Sequence, residues 1–185
     1  LNAFAAPYTV TIKPDGAPRL VSYGGANSLI VLNRADRVII DGSLSNTANT
    51  LCPLVQASRD LTFKNTAASA SVINLRSQPT NPATNNVIKN CNIEGNATST
   101  TIFGIASTDQ TVTISSLGKD NDNNSFVNNS ISKVQYGIYS QGESRSNKNQ
   151  GTVIQLNNIA SSKYPVFLYY PVRGFQIMGG ITWSF

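Results

Sequence analysis

Apolar and polar positions alternate along this chain in short bursts, with none of the long 3.6-residue stripes that mark amphipathic helices. Such bursts include Ser28–Asn33 (SLIVLN), Pro53–Ser58 (PLVQAS), Ser71–Arg76 (SVINLR), Phe103–Ser107 (FGIAS), Tyr136–Ser140 (YGIYS) and Val166–Tyr170 (VFLYY). Gly, Asn, Ser or Pro separates one from the next, so each reads as a strand of about four to six residues closed by a turn.

Four stretches carry a sharper signature, an Asn-rich turn followed by a strand that ends in an aliphatic. They are Asn85–Glu94 (NNVIKNCNIE), Asn123–Ser132 (NNSFVNNSIS), Gln150–Ala160 (QGTVIQLNNIA) and, in degraded form, Arg173–Thr182 (RGFQIMGGIT). One anchor per unit falls at Ile12, Ile40, Phe63, Ile93, Ile131, Ile159 and Ile181, and a second at Ile30, Val55, Ile73, Ile105, Ile138 and Leu168. A recurring unit of this size points to a solenoid. One unit alone cannot bury its aliphatics, whereas units stacked about 4.8 Å apart bury a continuous column and pair every strand with its neighbours.

The expected fold is therefore all-β, a parallel β-solenoid of about seven rungs. It forms one domain, residues 1–185, expected to be a piece of a longer chain. Asn65, Asn90 or Asn92, Asn128 or Asn129, and Asn157 or Asn158 are expected at rung corners as a ladder of side-chain amides. Residues 109–124 (DQTVTISSLGKDNDNN) read as an insertion loop between rungs. The competing fold is an antiparallel sandwich, which needs Asn-Gly or Asp-Gly hairpins between adjacent strands. The pairs present, Asp15-Gly16 and Asp41-Gly42, read instead as equivalent rung ends.

Composition supports this reading. Charged residues make up 12% of the chain, against about 25% in ordinary soluble domains, and Asn, Ser and Thr take their place. These side chains favour turns and caps over helix interiors. The net charge of +5 comes from Lys and Arg scattered singly between Lys13 and Arg173, without the clustered patch that nucleic acid requires. No stretch approaches the roughly 20 apolar residues of a membrane span.

The chain has no histidine, which removes the commonest general base, the commonest metal ligand and any Ser-His or Cys-His pair. Its two cysteines, Cys52 and Cys91, are too few for a disulfide scaffold. Cys91 stands where other units carry Asn129 and Asn157, so it is expected to be small and buried, with a Cys52–Cys91 bridge as the less favoured alternative.

Three groups of side chains are candidates for chemistry. Asp36, Asp41 and Asp60, with Arg37, Arg59 and Lys64, lie on adjacent rungs. They read as an exposed ladder of ion pairs, each worth under about 1 kcal/mol, or alternatively as the carboxylates and base of a polysaccharide lyase. Asp120, Asp122 and Asn124 have the alternating oxygens of a calcium loop but lack the Gly and Glu of an EF-hand, and a polar turn has the same composition. Alternation within Tyr164–Tyr170 puts Phe167 and Tyr169 on one face near Tyr164. Left open, that face is a stacking platform for sugar rings or a partner protein; covered, it is core.

The segments Ala35–Ser43 (ADRVIIDGS), Arg59–Thr66 (RDLTFKNT), Ser71–Ser77 (SVINLRS), Asn85–Gly95 (NNVIKNCNIEG) and Asp122–Ser132 (DNNSFVNNSIS) resemble, in order, the right-handed parallel β-helix modules of large secreted surface proteins common in Bacteroidetes. The resemblance spans about Tyr8 to Phe185 and rests on structural motifs. It implies a right-handed, pectate-lyase-like helix, export by the type IX route to the cell surface or medium, and an adhesin-like or scaffold role. Polysaccharide, a cell-surface or secretion-machinery protein, and flanking domains of the same chain are the partners it implies.

Related helices also include lyases and hydrolases of acidic polysaccharide. A polygalacturonase-like site wants clustered Asp with His, but Asn65-Thr66-Ala67 stands where Asp would be needed. The balance leans against an enzyme and toward no cofactor, with calcium left open.

Overall fold

The computed structural model describes residues 8–44, 58–78, 81–155 and 158–163, the side chains of 159–163 excepted. These residues contain no helix. Their strands are β1 (Val10–Ile12), β2 (Arg19–Tyr23), β3 (Ile30–Asn33), β4 (Val38–Asp41), β5 (Leu61–Asn65), β6 (Ser71–Arg76), β7 (Val87–Lys89), β8 (Cys91–Glu94), β9 (Phe103–Thr108), β10 (Ser125–Val127), β11 (Ser130–Ser140), β12 (Val153–Gln155) and β13 (Asn158–Lys163).

Two sheets result. One has the order β1-β4-β7-β10-β12; the other runs β2-β5-β8-β11-β9-β6-β3, with β13 also on β11. Every ladder between these strands is parallel, and the antiparallel pairing among the described residues is one isolated bridge, Gln78 to Asn81. Hairpins are thus not the connections, and the sandwich alternative falls. The fold is all-β with two parallel sheets, compatible with a β-solenoid. Asp15-Gly16 is not equivalent to Asp41-Gly42, because the β1–β4 register continues to place Lys13 beside Asp41.

β11 joins the two halves of the larger sheet. Its first residues, Ser130–Ser132, pair with β8, and Tyr136–Ser140 pair with β9. At Lys133, in left-handed conformation (φ 56°), its register against β13 shifts. Strands therefore return to the same ladders in rotation.

Register resolves the aliphatic anchors into three columns. Ile12, Ile40, Ile88, Phe126 and Ile154 align in the first sheet. Val21, Phe63, Ile93 and Ile131 align in the second, with backbone register continuing to Ile159. Ile30, Ile73, Ile105 and Ile138 align along β3, β6, β9 and β11. These four belonged to the second set of anchors, but that set put Val55 between Ile30 and Ile73, which pair directly. Val55 and Leu168 lie outside the described residues. The first set had merged two columns, because Ile12 and Ile40 belong to a different sheet from Phe63 and Ile93. Middle members are fully buried, whereas Ile12 and Val21, with a neighbouring strand on one side, remain 37% and 39% exposed.

Corners are built by asparagine. Arg37, Asn85, Asn123 and Gly151 occupy one register position before successive strands of the first sheet, with φ between 55° and 66°. Asn tolerates that left-handed geometry better than most residues. The amide that follows turns inward. Asn86 Oδ1 accepts the Val38 N–H at 3.0 Å, Asn124 Oδ1 accepts the Asn86 N–H at 2.9 Å, and Asn124 Nδ2 donates to the carbonyls of Ala83 and Asn121.

The far end of the same strands repeats the device. Asn128 Nδ2 donates to Asn90 Oδ1 and Asn90 Nδ2 to Asp41 Oδ1, both at 2.8 Å, from two left-handed corner residues. Gly42 holds the same position one strand earlier, where a Cβ would sit 2.0 Å from the Asn90 carbonyl oxygen. Of the other expected ladder members, Asn65 closes its own corner with Ala67 and Ser71, Asn92 donates to the Arg59 carbonyl, and Asn129 accepts from the Cys91 N–H. Asn157 lies outside the described residues.

Asn124→Ala orphans the buried N–H of Asn86 and two carbonyls, and it is expected to cost about 2–3 kcal/mol in urea unfolding. Asn123→Gly, at an exposed left-handed corner, should stay within about 0.5 kcal/mol of wild type. The reverse order of stability would show that the buried amide is not what ties the repeats together.

Candidate functional site

The three candidate carboxylates do not share a site. Asp36 lies before β4 and accepts from the Thr84 N–H and hydroxyl at 2.8 and 2.7 Å. Asp41 and Asp60 lie toward the other end of β4, where they accept from different residues of the following turn, Ser43 and Leu44. Each carboxylate is engaged in holding backbone or a neighbouring repeat.

Asp41 is the most confined, at 4% exposed. Lys13 and Lys89, one strand to either side, approach it at 3.6 and 3.4 Å. Burial pushes its carboxyl up, but hydrogen bonds from Asn90 and from the Ser43 hydroxyl and N–H, with the Lys89 charge, outweigh it. They hold the group at about 2, below its ordinary 3.8. A second alternation crosses β5, β8 and β11, where Glu94 pairs with Lys64 at 3.6 Å and with Lys133. The Lys133 hydrogen bond, opposed by partial burial and aided by both lysine charges, holds Glu94 below the usual carboxylate range. Ion-pair ladders are present and include the expected Asp41 and Lys64, but their other members are Lys13, Lys89, Glu94 and Lys133, and Asp41 is buried where an exposed patch was expected.

Two of the three calcium candidates, Asn124 and Asp122, are similarly committed. Asn124 Oδ1 faces Asn86 in the interior, Asp122 Oδ1 accepts the Gln150 N–H at 2.7 Å, and Asp120 sits at a left-handed corner. Among the described residues no group of three His, Cys, Asp or Glu is placed to hold a metal ion. Cys91 is a buried thiol pushed up to about 12 by burial, with an N–H bond from Gly42 opposing the rise; its Sγ–H donates to the Lys89 carbonyl. Cys52 and the aromatic candidates Tyr164, Phe167 and Tyr169 lie outside the described residues.

A feature the sequence did not single out is a cleft of about 520 Å³ on the outer face of β3 and β6. In β6, Val72, Ile73 and Leu75 join the core, while Asn74, itself buried, and Arg76 line the cleft beside Val31 of β3. Turns 26–28 and 69–70 make one wall, and Gln110 and Val112 make another. The second wall exists because residues 109–117 fold back over β9 and β11. There Val112 packs against a small cluster of Phe103, Ala106 and Tyr139, and the Tyr139 hydroxyl meets the Ile114 and Ser116 carbonyls at 3.0 Å.

Asn74 is held by the Thr108 hydroxyl at 2.9 Å. Among the described residues the Arg76 Nε is buried without a hydrogen-bond partner, and the ion pairs do not include Arg76. The only available sequence signal was the polar pair inside SVINLR.

No family model matches the chain, and neither a curated protein nor a solved structure matches it.

The Asp41 cage generates an acid-side prediction. Because the folded value lies below the unfolded one, its stabilisation is complete above about pH 4 and disappears as pH falls toward about 2. Asp41→Asn should be less stable than wild type at pH 7 and converge with it near pH 2 in urea unfolding. A difference that stays constant across that window would rule out the cage.

Proposed function

We propose that the chain is a right-handed parallel β-helix, of the pectate-lyase-like type, serving as a non-enzymatic scaffold or adhesin-like surface of a secreted or cell-surface protein. The observation that carries this reading is the use made of the carboxylates. Asp36, Asp41 and Asp60 are engaged in corner and repeat-to-repeat bonds, and Asp41 is sealed from solvent. A general base must reach its substrate's proton. The rotation of strands among the same parallel ladders supports the helical path. Interfaces of this kind make a rod whose stiffness comes from neighbour-to-neighbour pairing.

A surface role also suits the chemistry of the exterior. Uncharged amides and hydroxyls carry solubility, and such groups pair well with sugar hydroxyls. Polysaccharide or a cell-surface or secretion-machinery protein is the proposed partner, and the resemblance to exported Bacteroidetes modules supports type IX export.

Polygalacturonate and alginate incubated with the chain, with and without calcium, should yield neither new reducing ends nor unsaturated products. Cleavage abolished by Asp36→Ala or Asp60→Ala would overturn the scaffold reading in favour of a lyase or hydrolase.

A further inference from the structure

We propose that the cleft floored by Arg76 and Asn74 binds a carboxylate-bearing sugar, a uronate unit of an acidic polysaccharide, with the Arg76 guanidinium taking the carboxylate. This rests on the adhesin-like reading above and names the class of ligand for it.

Among the described residues, Arg76 is the one charged residue lining the cleft, and its buried Nε is a donor without an acceptor. The guanidinium fork matches a planar carboxylate through two parallel N–H bonds, as an ammonium cannot. The cation is also not already neutralised, because the carboxylates that form ion pairs among the described residues face lysines.

The remainder of the lining is suited to a sugar ring more than to a bare anion. At about 520 Å³ the cleft is within the range of small-molecule sites, and it has room well beyond the roughly 30 Å³ of one water. At its sides stand the Ser28 hydroxyl, which is bonded to Ser71, and the Gln110 amide, whose Nε2 donates to Gln78 Oε1 at 3.2 Å. Val31, 40% exposed, and Val112 give apolar surface for the C–H face of a ring. The cleft opens on the outside of the sheet, where a polymer can pass without entering the core.

The test is isothermal titration of the full chain with tetragalacturonate, its carboxyl-reduced neutral counterpart, and sodium acetate. The acidic oligosaccharide should bind saturably and more weakly as salt is raised. The neutral one should bind at least about tenfold more weakly, as should the Arg76→Gln variant toward the acid. Arg76→Lys should recover only part of the affinity, because it keeps the charge without the fork. Gln110→Ala should also weaken binding, and Arg145→Gln on the exposed surface should not. If Arg76→Gln fails to fold, Arg76→Lys and Gln110→Ala carry the comparison.

Equal binding of the neutral sugar, full affinity in Arg76→Gln, no saturable binding at millimolar ligand, or equal binding of acetate would each overturn the proposal. Unchanged affinity in Arg76→Gln would leave the scaffold reading intact. Cleavage of the oligosaccharide by wild type would instead remove the non-enzymatic reading while leaving the cleft as its binding site.

Discussion

A buried corner amide that accepts an N–H from the neighbouring repeat is the contact on which the remainder of this structure depends. Parallel strands satisfy one another's backbone along their lengths, but at each corner the chain turns away and leaves polar groups facing the interior. Water does not reach them, so an unpaired one would cost about 1–3 kcal/mol. Asn86 and Asn124 meet that demand with both halves of the amide, oxygen toward the next N–H and nitrogen toward carbonyls. Asparagine is suited twice over, because its neighbours Asn85 and Asn123 can also take the left-handed bend that brings the amide into place.

The apolar columns depend on those corners. Ile40, Ile88 and Phe126 stack without exposure because register is held at both ends of each short strand. Three- and four-residue strands carry few ladder bonds, and a slip by one residue would turn each of these side chains outward. The corner amides and the aliphatic column therefore select the same register for different reasons. Charge follows the same geometry: Asp41 between Lys13 and Lys89, and Glu94 between Lys64 and Lys133, alternate sign from strand to strand so that like charges do not face each other.

Much of this was legible in the residues. The doublets at Asn85 and Asn123 announce corners, the four members Ile30, Ile73, Ile105 and Ile138 of one column could be read, and Cys91 is buried where the repeat placed it. What misled was the assumption of two anchors per unit where register has three columns. Ile40 and Phe63 look alike in sequence but serve different sheets, and spacing alone cannot separate columns when turn lengths vary. The candidate carboxylates were misread for a related reason: Asp41 belongs to a polar class that is usually exposed, and only its neighbours in other repeats make a buried position affordable.

By itself the sequence determined the strand-and-turn texture, the absence of histidine chemistry and the use of asparagine at corners, because these follow from local propensity and composition. Tertiary structure alone decided which strands meet, that Asp36, Asp41 and Asp60 are engaged separately, and that residues 109–117 fold back to wall a cleft over Arg76. Those outcomes depend on contacts between residues dozens of positions apart. Burial and pairing at such sites are properties of the stack, and no single repeat contains them.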